Sequence, residues 1–95
     1  MRKIVDNWLY DTEVASNIAE RRGGDPETDP KWYQEAPYVT EHGRWFMHIN
    51  GGPESRYAEG EDITIVTSDQ AFEWLATHAE LEGLERYFPG RVEPA

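Results

Sequence analysis

The 95-residue chain contains no cysteine. That absence excludes a disulfide framework, a thiolate metal site and a thiol nucleophile. No stretch approaches the ~18 consecutive apolar residues of a membrane span. The opening residues, MRKIVDNWLYDTEV, carry two basic side chains but neither a long apolar run nor a small-residue cleavage site. They do not read as a secretory signal, so a cytoplasmic protein without membrane contact is expected. Positive charge is scarce: nine Lys and Arg stand against nineteen Asp and Glu, a formal net charge of −10. Contact with a nucleic-acid backbone needs clustered cations, so no direct nucleic-acid binding is expected. Internal repeats and low-complexity tracts are also missing, which leaves one α+β domain over residues 1–90 and a fraying tail over 91–95.

What is present is an aromatic content of 13%, too rich for a chain that cannot build a core. Residues 3–10, KIVDNWLY, place Asp6-Asn7 between two apolar runs, the signature of a tight hairpin or a kinked first strand. Asp11 and Thr12 then offer capping oxygens ahead of EVASNIAERR. There Val14, Ala15, Ile18 and Ala19 fall on one helical stripe, Arg21 and Arg22 occupy the last turn, and Gly23-Gly24 follow as a stop. The spacing predicts a first helix. Residues 24–35 carry two Asp-Pro steps and read as a loop.

Two β-prone runs flank Glu41-His42-Gly43, a hairpin signal. In the second run Trp45, Met47 and Ile49 share one face, and Arg44, Phe46, His48 and Asn50 the other. ITIVT is a compact strand, and Thr67 with Gln70 has capping-box spacing before a second helix. In that helix Phe72, Leu75 and Ala79 form a core stripe, and Gly83 is expected to break it. The predicted architecture is an antiparallel sheet of three to five short strands with two main helices on one face, in the order β(β)-α-β-β-β-α.

The histidines His42, His48 and His78 match no compact metal-ligand spacing, and no metal or other cofactor is expected. Ser55 after Gly51-Gly52-Pro53, with His48 as base, is the one arrangement that tempts a hydrolase reading. No G-x-S-x-G elbow is present, and Glu54 beside the serine would oppose an oxyanion. A sharp exit from a strand explains the same residues. Arg44 and Arg56 could form a small anion site, although carboxylates are abundant enough to pair with them. Among the acids, Asp25, Glu27, Asp29 and Glu35 line one predicted loop, while Glu61 and Asp62 precede the last strand. Asp69, Glu73 and Glu80 are spaced to share one helical face over about 16 Å. That array is sparser than duplex DNA, at one charge per ~1.7 Å, but could imitate part of a strand.

The segments YDTEVA, YVTEHGRWFMHINGGPESRYAEGEDI, SDQAFEWLATH and LERYFPG resemble a widespread set of small bacterial proteins of prophages, plasmids and other mobile regions. The matching positions are Tyr10, Asp11, Thr12, Tyr38, Thr40, Gly43, Trp45, Phe46, His48, Gly51, Gly52, Ser55, Tyr57, Ala58 and Trp74. The resemblance assigns no reaction. It implies an accessory role, and small acidic proteins of mobile elements often inhibit host defence stoichiometrically. The expected function is therefore non-enzymatic inhibition of a host protein or ribonucleoprotein with a basic groove, of anti-CRISPR or anti-restriction type, through nucleic-acid mimicry. The partner surface is expected to comprise Glu61, Asp62, Asp69, Glu73 and Glu80, helped by Asp25, Glu27 and Asp29, and by Phe46, His48, Ser55 and Arg56. The alternatives are a small enzyme or anion-binding domain using the His48/Ser55/Arg56 loop, or an antitoxin-like regulatory partner.

Overall fold

Asp6 and Asn7 reverse the chain after its first strand. Both adopt left-handed backbone angles, φ 51° and 67°, the conformation a two-residue hairpin turn requires and that Asp and Asn tolerate best. The turn joins β1 (Arg2–Val5) to β2 (Trp8–Asp11) as a separate antiparallel ribbon. The computed structural model describes residues 1–95. Its main sheet is antiparallel and built on β5 (Tyr33–Val39), β6 (Trp45–Gly51) and β7 (Asp62–Val66), side by side in that order. The outer edge of β5 is covered by two short strands, β3 (Ser16–Asn17) and β4 (Arg21–Gly23). Helices α1 (Ser68–Thr77) and α2 (Leu81–Tyr87) close the chain. The fold class is α+β, as the sequence predicts, with two helices on one face of an antiparallel sheet.

Strand alternation on β6 sorts the two cores. Val39 and Trp45 meet Ala71, Leu75, Leu84 and Phe88 beneath the helices. Phe46 points the other way and, with Tyr10 and Ile63, forms a second cluster under the β1–β2 ribbon. Phe46 has no exposed surface at all. It is a core residue and cannot serve as the surface contact expected of it. The ribbon is further tied to β7 by Lys3, whose ammonium donates to Asp62 at 2.9 Å and to the Ile63 carbonyl at 3.1 Å. Lys3 and the Ile63 backbone N–H together hold the Asp62 carboxyl below its usual range. A depressed folded-state value adds stability above the unfolded one and loses it as pH falls through the depressed value. The Tm difference between the parent and Lys3→Met should therefore shrink as pH is lowered from 7 to about 3, and a constant difference would dissociate the bridge from stability.

The first predicted helix does not form. Asp11 does cap, accepting from the Glu13 N–H at 2.9 Å, but its carbonyl closes only one turn, to Ala15. The Ile18 N–H then bonds to the Pro37 carbonyl at 2.9 Å, and the segment continues as the edge of the sheet. Ser16 faces Val39 and Arg21 faces Glu35, so five residue steps on the edge span four on β5, a bulge of one residue. The reason is tertiary. An isolated helix of this length is marginal in water, whereas an uncovered β5 would leave a row of backbone groups unpaired. Pairing also carries Ile18 and Ala19 into the helix-side core.

The capping box at Thr67 and Gln70 is present in both directions. The helix break falls elsewhere than predicted. Gly83 lies inside α2, where an added Cβ would come within 2.9 Å of the Ile18 side chain. The break is at Ala79, which takes φ 52°, while Glu80 N–H bonds to Leu75 O at 2.9 Å and Ala79 N–H to Ala76 O at 3.1 Å. This is a Schellman ending with alanine where glycine is usual. Ala79→Gly should consequently stabilise the protein by about 0.5–1 kcal/mol, relief of the left-handed alanine outweighing the added chain entropy. A lowered urea midpoint would contradict that assignment.

Candidate functional site

Of the partner-surface residues expected from the sequence, Arg56 and Glu73 come together on one cleft, and most of the rest are scattered. His48 lies on the ribbon side of β6, mostly buried, with Nε2 2.6 Å from Glu61 Oε2. The Ser55 hydroxyl is spent on its own turn, donating to the Gly52 carbonyl at 2.8 Å and accepting from the Tyr57 N–H at 3.1 Å. Arg56 projects to the helix side, 70% exposed. The three do not form one loop site, and the pairing of His48 with Ser55 is not found. Asp25 and Asp29 accept from the Glu27 and Lys31 N–H groups and hold their loop, leaving Glu27 free in solvent. Asp62 is bound to Lys3, and Asp69 stands 3.4 Å from Arg91, whose guanidinium lies over the Phe72 ring. Asp69 and Glu73 share α1, but Glu80 follows the Ala79 reversal and stands at the N-terminal boundary of α2 without a side-chain capping bond, so the three do not form a continuous stripe.

What the fold does bring together is centred on Glu35, which sequence reading leaves in the acidic loop. Glu35 lies in β5, pointing to the helix side, and is the single charged residue among the buried ones, with 6% of its surface exposed. Trp74 of α1 donates its indole N–H to Oε1 at 2.9 Å. The Tyr57 hydroxyl donates to Oε2. Burial, then the bond to Glu35, pushes the Tyr57 hydroxyl above its usual value, which keeps it protonated and donating. Arg56 Nη1 stands 3.8 Å from Oε2 and His78 Nε2 3.8 Å from Oε1. The Tyr57 hydroxyl and Glu35 raise Arg56 further into its charged form. Arg21, opposite Glu35 on β4, completes the surround.

These groups line a cleft of about 620 Å³ with the sheet as floor (Glu35, Met47), α1 as one wall (Gln70, Glu73, Trp74, Thr77, His78) and the loop after β6 as the other (Arg56, Tyr57). The cleft exists because α1 covers the Val39–Trp45 end of the sheet, while at the opposite end only the loop folds back. One signal in the sequence could have found it. Glu35 shares a strand face with Pro37 and Val39, where a carboxylate must have partners if buried. Its donors are 22 and 39 residues away in sequence, and nothing local points to them. No group of three or more His, Asp or Glu is placed to hold a metal ion.

The fold and cleft define a small α+β protein with one polar, aromatic-walled site. No protein-family model, no curated protein and no solved structure matches the chain.

Proposed function

We propose that the protein acts without catalysis, by binding and inhibiting a host nucleic-acid-binding defence complex through a basic groove on that complex. The observation that supports this reading is how little of the acidic charge folding neutralises. Of the nineteen carboxylate side chains, Asp11, Glu20, Glu35, Glu61, Asp62 and Asp69 have a cationic or histidine partner within 4.0 Å. The other thirteen have none, and all but Asp29 and Glu80 are exposed. The helix layer holds Asp69, Glu73, Glu80, Glu82 and Glu85 against Arg86 and Arg91 alone among Lys and Arg. A surface of this kind steers encounter with a basic partner and opposes contact with nucleic acid.

The test uses purified restriction and CRISPR effector complexes and their target DNA. At stoichiometric protein, one such complex should lose DNA binding in a mobility-shift assay. The variant Glu80→Lys/Glu85→Lys should melt within about 0.5 kcal/mol of the parent, because neither side chain packs in a core. It should nevertheless inhibit more weakly, with a slower on-rate and a shallower dependence on salt. If no complex loses DNA binding, or if the double reversal changes neither potency nor salt dependence, the proposal fails.

A further inference from the structure

Independently of that reading, the cleft above Glu35 has a chemistry of its own. Its floor carboxylate is already occupied by donors from within the protein, Trp74 on one oxygen and Tyr57 on the other. Its spare capacity is on the opposite side of the ledger of donors and acceptors. Arg21 makes no ion pair, although the chain is rich in carboxylates. Arg56 is 70% exposed with its nearest carboxylate oxygen 3.8 Å away, and His78 is likewise 3.8 Å from Glu35, beyond hydrogen-bond reach. Arg21, Arg56 and His78 thus line one cleft with donors to give. A single carboxylate would be served by one guanidinium fork, whereas a phosphate has oxygens for several. The walls add flat apolar surface from Tyr33 and Trp74.

We infer that this cleft binds a small organic phosphate with a planar body, of which a nucleoside monophosphate is the simplest member. Arg21 and Arg56 would take the phosphate, with His78 as a further donor. The base would stack on Trp74 or Tyr33. The volume of about 620 Å³ falls within the range of small-molecule sites. Glu35 acts as a positioning residue here, holding the Trp74 and Tyr57 side chains. The overall charge of −10 does not forbid an anion, since the two arginines balance Glu35 and Glu73 within the cleft and more distant carboxylates are screened over about 8 Å at physiological salt.

The experiment titrates the intact protein with the four ribonucleoside 5′-monophosphates, their parent nucleosides and inorganic phosphate, followed by calorimetry and by the NMR signal of the Trp74 indole N–H. At least one nucleotide should saturate with a Kd below about 1 mM and bind about tenfold or more tighter than its nucleoside or inorganic phosphate. Arg21→Gln and Arg56→Gln should each weaken it about tenfold. Both side chains are exposed, so circular dichroism should show both variants folded. Arg44→Gln, at the ribbon where Arg44 lies over Trp8, should leave affinity unchanged. Four results would each overturn the inference: no nucleotide moves the indole signal, nucleosides bind as tightly, inorganic phosphate binds as tightly, or the arginine variants retain full affinity.

Discussion

Phe46→Ala is expected to cost about 3–5 kcal/mol, the range for truncating a large buried aromatic. The ring is stacked on Tyr38 at 5.1 Å between centroids, meets Tyr10 edge-on at 5.6 Å, and packs against Ile63. Alanine would leave a cavity lined by these groups and remove what the β1–β2 ribbon rests on. A two-stranded hairpin has little stability of its own, so the ribbon should detach before the sheet does. The measurement is a urea titration with amide exchange on β1 and β2, and Tm should fall by about 12 °C or more. Trp45→Ala, on the opposite face against Phe88 and Tyr87, should cost a similar amount. A Phe46→Ala variant within 1 kcal/mol of the parent, beside a strongly destabilised Trp45→Ala, would mean that the sheet has one structural face and not two.

Glu35→Ala should be comparably damaging for a different reason. The substitution removes the acceptor for the Trp74 indole and the Tyr57 hydroxyl at once and leaves both donors without a partner. Each hydrogen bond to a charged group is worth about 1.5–3 kcal/mol, so a loss of about 3–4 kcal/mol is expected. Tyr57→Phe alone should cost about 1–2 kcal/mol, since Glu35 keeps Trp74 and the nearby cations. The two effects should not add. In the double variant there is no Tyr57 hydroxyl left to strand, so a coupling energy of about 1–2 kcal/mol is expected from the cycle. Additive losses would show that the Glu35–Tyr57 contact does not hold the loop over the cleft.

Much of the fold was legible because it is written in local chemistry. Asp6-Asn7 announces a turn that only residues tolerant of positive φ can make, and Gly43, at φ 76°, does the same for the β5–β6 connection. The alternation Trp45, Met47, Ile49 reads as one face of β6, and on that face Trp45 packs beneath the helices. Thr67 and Gln70 read as a capping box because both halves of it lie within one turn. The misreadings have a common origin. Val14, Ala15, Ile18 and Ala19 do fall on a helical stripe, yet the same residues serve an edge strand equally well once a bulge resets the register. Gly83 reads as the helix break because glycine commonly ends helices, whereas Ala79 bears the left-handed turn and a Cβ at Gly83 would meet Ile18.

The candidate site was less legible than the fold. Arg56 was in view and does border the cleft. Phe46, His48 and Ser55 were in view and are committed to a core, to Glu61 and to a turn. Glu35 reads only as one acid of a loop and His78 only as a histidine without metal-ligand spacing, and nothing local brings the two together.

The sequence by itself determined the acidic surface, the absence of thiol chemistry, β5 from Ala36 onward, β6 and β7 with the β5–β6 turn, and the start of α1, whereas residues 33–35 read as loop and are strand. Each depends on residue type or on spacing within a few positions, where backbone sterics and short-range hydrogen bonds decide. Only the tertiary structure decided that residues 16–23 pair with β5, that the sheet is covered on both faces, and that Glu35 is buried with Trp74 and Tyr57. Those outcomes depend on which distant groups arrive to satisfy an open sheet edge and a desolvated carboxylate, and periodicity along the chain carries no record of that meeting.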